Sequence, residues 1–159
     1  MSTCEGRPGW DTSQDLIPVT NARDRFFEGA ASGATALIVE DDYRNCFALT
    51  ALLNRGKMIV VTADSGPRAL QMLERAGGVG IVLMDIMMPI MDGYETIRAI
   101  RERRQSAELP IIAITGNGER DRCIAAGASD YLPKPIDTPA LLTAVTRWLL
   151  GVTEHLPQS

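Results

Sequence analysis

Aromatic residues are scarce in this chain, at 5% of its 159 positions, and it has a single histidine, His155, and three cysteines. Cys4, Cys46 and Cys123 are odd in number and form no CxxC pair, so neither a disulfide framework nor a zinc site is indicated; they read as idle or buried thiols. Long apolar runs are missing as well. The two longest, residues 79–84 and 86–91, are split by Asp85, and neither approaches the ~20 residues that cross a bilayer. No positive excess exists: the formal net charge is -4 and the pI ≈ 5.0, which leaves no field to hold nucleic acid or an anionic membrane. Direct DNA binding and membrane association are therefore not expected. The opening MSTCEGRPGW lacks the basic and then apolar regions of a secretory leader, and the chain reads as cytoplasmic. It also lacks a glycine-rich nucleotide loop and a histidine placed to donate phosphate, so it does not read as a kinase.

What is present suits one globular domain: 45% hydrophobic and 23% charged residues in a length that can bury a core without metals or disulfides. Residues 1–33 are rich in Gly, Ser, Thr, Asp and Asn without apolar periodicity, and read as a largely flexible extension. Within it, Thr20 is suited to cap a short helix over 21–28, ended by Gly29, whose Phe26 and Phe27, with Trp10, are candidates for docking. Residues 34–151 form the domain, and 152–159 a tail.

From residue 34 short apolar runs alternate with segments of helical period, the pattern of a βα repeat on a parallel sheet. Strands are expected at 36–39, 58–62, 80–84, 110–114 and 130–132. The first, third and fourth are continuously apolar and belong in the sheet centre. Helices are expected at 43–54 after Asp42, from Ser65 to Gly77, after the capping-box sequence Asp92-Gly93-Tyr94-Glu95, near 119–126 before Gly127, and from Asp137 or Thr138 with Pro139 in the first turn. The product is an open, doubly wound (βα)5 α/β fold. Arg98, Arg101, Arg103 and Arg104 read as the solvated side of a helix.

Such a sheet builds its site beyond the carboxyl ends of its strands. Those ends carry Glu40, Asp41 and Asp42, then Asp85, then Thr115 and Gly116, then Pro133-Lys134-Pro135. If the first and third strands are neighbours, Glu40, Asp41 and Asp85 converge, and carboxylates ~4 Å apart repel by about 4 kcal/mol per pair at an effective dielectric of 20. A cation must offset this, and all-oxygen ligands favour Mg²⁺ over Zn²⁺. A carboxylate beside a metal can attack phosphorus if the charge growing on the transferred group is neutralised. Lys134 offers a point charge, Thr115 a hydroxyl donor, and Gly116 room for the incoming group beside backbone N–H groups.

ALIVEDD, VLMDIMMPIMDG, PIIAITG and DYLPKPI, with 45 residues from Glu40 to Asp85 and 30 more to Thr115, together resemble the receiver domain of bacterial two-component response regulators. The likeness covers residues 34–151, is of the single-domain type, and is nearest to receivers of hybrid kinases and phosphorelays. The resemblance implies a flavodoxin-like three-layer sandwich with strand order 2-1-3-4-5. It implies Asp85 as phosphoacceptor, with Glu40, Asp41, Asp85 and the Met87 backbone carbonyl holding Mg²⁺, for which Mn²⁺ is an accepted substitute. It further implies that Thr115, Gly116 and Lys134 contact the phosphoryl group, that Tyr131 is an aromatic switch, and that the bond before Pro135 is cis. The implied partners are a histidine kinase or histidine phosphotransfer protein, and a downstream protein effector. Lys134 follows Thr115 by 19 residues, which is about three residues, or one helical turn, short of the family's usual spacing. A shortened fourth helix is therefore expected.

Two other functions fit the same residues. A metal-dependent phosphatase passing through an aspartyl phosphate needs a general acid near Asp85, and Met87, two residues on, has no proton to give. A receiver-like scaffold that works without phosphorylation would leave partner binding unchanged in Asp85→Asn.

Overall fold

The computed structural model describes residues 22–75, 77–116 and 119–151. Trp10, Thr20 and the tail 152–159 lie outside them. Five parallel strands, β1 (Thr35–Val39), β2 (Ile59–Ala63), β3 (Val79–Asp85), β4 (Ile111–Thr115) and β5 (Asp130–Pro133), form one sheet in the order β2-β1-β3-β4-β5. The three apolar runs are the three central strands. On each, alternate residues serve opposite faces. Ala36, Ile38, Ile81, Leu83, Ile112 and Ile114 pack under α1 (Ala22–Ala31), α2 (Tyr43–Asn54) and α6 (Thr138–Leu150). Leu37, Val39, Val82, Met84, Ile111 and Ala113 pack under α3 (Gly66–Arg75), α4 (Gly93–Arg101) and α5 (Arg120–Ala126). Burial on both faces is why these strands are continuously apolar rather than alternating.

The helix ends follow their sequence signals. The Asp42 carboxylate accepts from the Arg44 N–H at the start of α2. Asp92 and Glu95 close a reciprocal capping box on α4. Asp137 caps α6 through the Ala140 N–H, with proline in the first turn. The helix between β4 and β5, α5, is seven residues long, the shortest α-helix among the described residues, and ends on Gly127 at φ 120.

The short helix expected over 21–28 is present as α1, which extends over Ala22–Ala31, straight through Gly29 where an end was expected, and Phe27 is 1% exposed in the core while Phe26 stays in solvent. The cause lies 29 positions away in sequence. Gly56 leaves a hollow that the Phe27 ring fills, and a Cβ there would lie 2.6 Å from Cε2 of that ring. Arg101 is not on the solvated side of its helix. Its guanidinium donates to the carbonyls of Gly127 (2.8 Å), Ser106 (3.0 Å) and Leu109 (2.6 Å) and to Ser129 Oγ (3.1 Å), tying α4 to the loops that flank β4. Arg101→Leu strands these acceptors in a partly buried place and is expected to cost about 2 kcal/mol. A denaturant midpoint unchanged from wild type would contradict that.

Candidate functional site

The chain turns from β1 outward to β2 and then back to β3, so the sheet's switch point lies beyond the carboxyl ends of β1 and β3. Glu40 and Asp41 leave β1 there, and Asp85 is the last residue of β3, in register with Ile114 of β4. One carboxylate oxygen from each of Glu40, Asp41 and Asp85 lies within 4.8 Å of the others. Glu40 and Asp85 are 5% and 2% exposed, whereas Asp41 faces solvent, so the cluster is a buried floor with one open side.

The two buried carboxylates are held by neighbouring donors. Asp85 Oδ1 accepts from Lys134 Nζ at 3.0 Å and from the Met87 N–H at 3.3 Å. Glu40 Oε2 accepts from the Asp42 N–H at 3.0 Å. Lys134 is delivered by β5: its N–H donates to the Thr115 carbonyl at 2.8 Å, and the Lys134–Pro135 bond is cis. One ammonium against three carboxylates leaves negative charge uncompensated. Burial, aided by the neighbouring Asp85 and opposed by the Asp42 N–H and Lys134, pushes Glu40 up to about 7. Among the described residues this all-oxygen set, with one open face, fits a hard divalent cation that keeps part of its water shell.

A stability prediction follows. A carboxyl whose folded pKa exceeds its unfolded value gives stability that is present below the unfolded pKa and lost as pH rises through the folded one. For Glu40 that window runs from about 4.5 to 7. In chelator, the melting temperature should fall between pH 5 and 7. Glu40→Gln should flatten that slope, and an equally steep slope in the variant would show that Glu40 is not its source.

The other expected site residues lie on β4, β5 and the loops after β3 and β4. Thr115, fully buried, ends β4 beside Pro133 of β5. Gly116 is exposed, and a Cβ there meets nothing within 4 Å, so the space beside it is open. Met87 puts its side chain in solvent, 59% exposed. Tyr131, on β5 opposite Ala113, packs partly buried on the side of α3, α4 and α5.

Two features escape the sequence. Gly93 packs directly on the Asp85 strand end: a Cβ would come 2.6 Å from both the Asp85 carbonyl oxygen and Ile86 Cα, and its N–H donates to the Ile86 carbonyl. Tyr94 is 4% exposed and donates its hydroxyl to Glu119, with the Arg122 guanidinium 4.1 Å from its ring centroid. This links the start of α4 to the start of α5. Burial and the Glu119 carboxylate push the Tyr94 phenol upward.

Residues 36–146 match the model of a family described as the response regulator receiver domain. A two-component response regulator of rice (Oryza sativa subsp. japonica), ORR7, is 32% identical over 117 residues, 72% of this chain and 55% of that protein. The chain thus spans about half the length of this curated relative and a smaller share of others. Among solved structures, the receiver domain of the Pseudomonas aeruginosa sensor histidine kinase PA1611, with magnesium coordinated in its active site cleft, superposes with TM-score 0.69 at 35% identity, over 74% of this chain and 98% of that one. The Saccharomyces cerevisiae Ssk1 receiver domain, crystallised with the histidine phosphotransfer protein Ypd1, gives TM-score 0.68 at 27% identity, over 76% and 91%.

Proposed function

The chain belongs to the response regulator receiver family of two-component and phosphorelay signalling, and on that premise we propose that Asp85 accepts a phosphoryl group from a phosphohistidine donor. One observation carries this reading: a nearly buried carboxylate at a strand end, with two more carboxylates within 4.8 Å and a lysine ammonium 3.0 Å away. Glu40, Asp41, Asp85 and the Met87 carbonyl would hold Mg²⁺, or Mn²⁺ in its place. When bound, that ion offsets the clustered negative charge and withdraws charge from the transferred group.

The chain's own residues do the rest. An Asp85 carboxylate oxygen attacks phosphorus; the new P–O bond forms as the P–N bond to the donor imidazole breaks, and the electron pair stays on that nitrogen, which takes a proton from water. Lys134, already on Oδ1, shifts its ammonium to the phosphoryl oxygens. Thr115 and the backbone beside Gly116 donate hydrogen bonds from the far side, and Tyr131 follows the threonine as the aromatic switch. Transfer is stoichiometric rather than a turnover on outside substrates, because Met87 has no proton to give a leaving group.

The partners are a histidine kinase or histidine phosphotransfer protein upstream, and a protein effector downstream. Among the described residues no helix is long and apolar enough to cross a membrane. The net charge of -4 gives no support to DNA contact, and a cytoplasmic setting suits these partners. The test is transfer of labelled phosphate from phosphorylated histidine donors, with Mg²⁺ or with chelator. Label reaching the chain only with Mg²⁺ is expected; multiple turnover of a phosphomonoester would make it an enzyme instead.

A further inference from the structure

A groove of about 610 Å³ runs along α2, from Glu40 and Lys134 beside the acid cluster to Arg55 at the C-cap of α2, with Ala48, Leu52 and Ile136 between. The eleven residues from Asn45 to the C-cap Arg55, ten helical rises, make it ~15 Å long. Its Arg55 end adjoins α1, because the next residue, Gly56, is the one that receives the Phe27 ring. Phe27 lies five residues into α1, which begins at Ala22. The chain before α1 therefore leaves the helix ~7.5 Å along its axis from the residue that adjoins the Arg55 end of this apolar groove, whose other end is the candidate site.

That preceding segment has 21 residues and contains one compact apolar run, Leu16-Ile17-Pro18-Val19. Extended, these four residues cover ~13 Å, close to the groove's length, and Thr20 and Asn21 give a reach of up to ~10 Å back to Ala22. Proline fixes its own φ and biases the residue before it toward extended backbone, which lowers the ordering cost of an extended occupant. So short a tether holds the run at an effective concentration of the order of millimolar, which no separate partner matches without higher affinity.

We propose that residues 16–19 of this chain occupy the groove along α2 and thereby compete with the phosphodonor for the face beside Asp85. The first half stands on the groove and the tether; the second rests on the phosphoacceptor reading.

The full-length chain, methyl-labelled, tests both. Contacts between the Ile17 methyl and those of Leu52 and Ile136 are expected, independent of protein concentration and lost in the double variant Leu16→Asp, Ile17→Asp. The Ile97 and Ile100 methyls serve as the control that the core is intact. In the same variant, transfer from a phosphorylated histidine phosphotransfer protein should quicken about fivefold at low donor, the effect of a segment bound about 80% of the time. Labelling by acetyl phosphate should not change, since a small donor needs no docking face. Groove methyls that make no contact with Ile17 overturn the proposal, and contacts that grow with concentration overturn it in favour of a second copy. Contacts in cis with an unchanged donor rate overturn the competition. Failure of acetyl phosphate to label either chain would instead sink the phosphoacceptor reading and leave the groove result intact.

Discussion

Asp85→Asn is expected to take up no phosphoryl group from any donor, because a carboxamide oxygen in the same place is too weak a nucleophile to attack phosphorus. The loss should be complete within detection, whereas removal of a supporting donor such as Thr115 should only slow transfer. The substitution is nearly isosteric in a position 2% exposed, so the fold should persist. Mg²⁺ affinity should drop at least about tenfold, or ~1.4 kcal/mol, since one of three charged ligands becomes neutral. Calorimetry with Mg²⁺ and label transfer on the same preparation measure both. An Asp85→Asn chain that still takes label would move the acceptor elsewhere.

Gly93→Ala is the substitution expected to harm the fold most. Its new Cβ meets backbone, the Asp85 carbonyl and Ile86 Cα at 2.6 Å each, and no rotamer can relieve that. Either α4 or the end of β3 must move. The upper part of the range for overpacking, about 3 kcal/mol, is expected, which corresponds to roughly 10 °C in melting temperature for a domain of this size. Because the displaced atoms belong to Asp85 and its neighbour, Mg²⁺ affinity should fall as well. Gly116→Ala provides the contrast: its Cβ meets nothing, so melting should stay within about 2 °C. Equal melting temperatures for Gly93→Ala and wild type would show that this contact is not what fixes the glycine.

The sheet was readable before the structure because its central strands are buried on both faces, which writes continuous apolar runs such as GIVLM into the chain. Ends were readable where a cap is local, as at Asp42 and Asp92. Strand limits moved by no more than one residue, and Asp85 proved to be the last residue of β3 rather than the first of a loop. The acids of the site were legible because the fold class dictates that strand ends converge, so position along the chain stood in for position in space. What stayed hidden depends on pairs far apart in sequence. Arg101 reads as one arginine in a basic stretch until Gly127 and Ser129 are brought beside it. Nothing near Tyr94 announces Glu119, 25 residues on. Phe26 and Phe27 read alike as candidates for docking, because the hollow that buries Phe27 alone is made by a missing side chain at Gly56.

Asp85 is reactive only if the carboxylate cluster and a divalent cation act together. Incubation with acetyl phosphate, with Mg²⁺ or with chelator, followed by intact mass and peptide mapping, tests this directly. One phosphoryl group per chain, on Asp85 and only with Mg²⁺, is the predicted result; modification of another residue, or of Asp85 to the same extent in chelator, would contradict it.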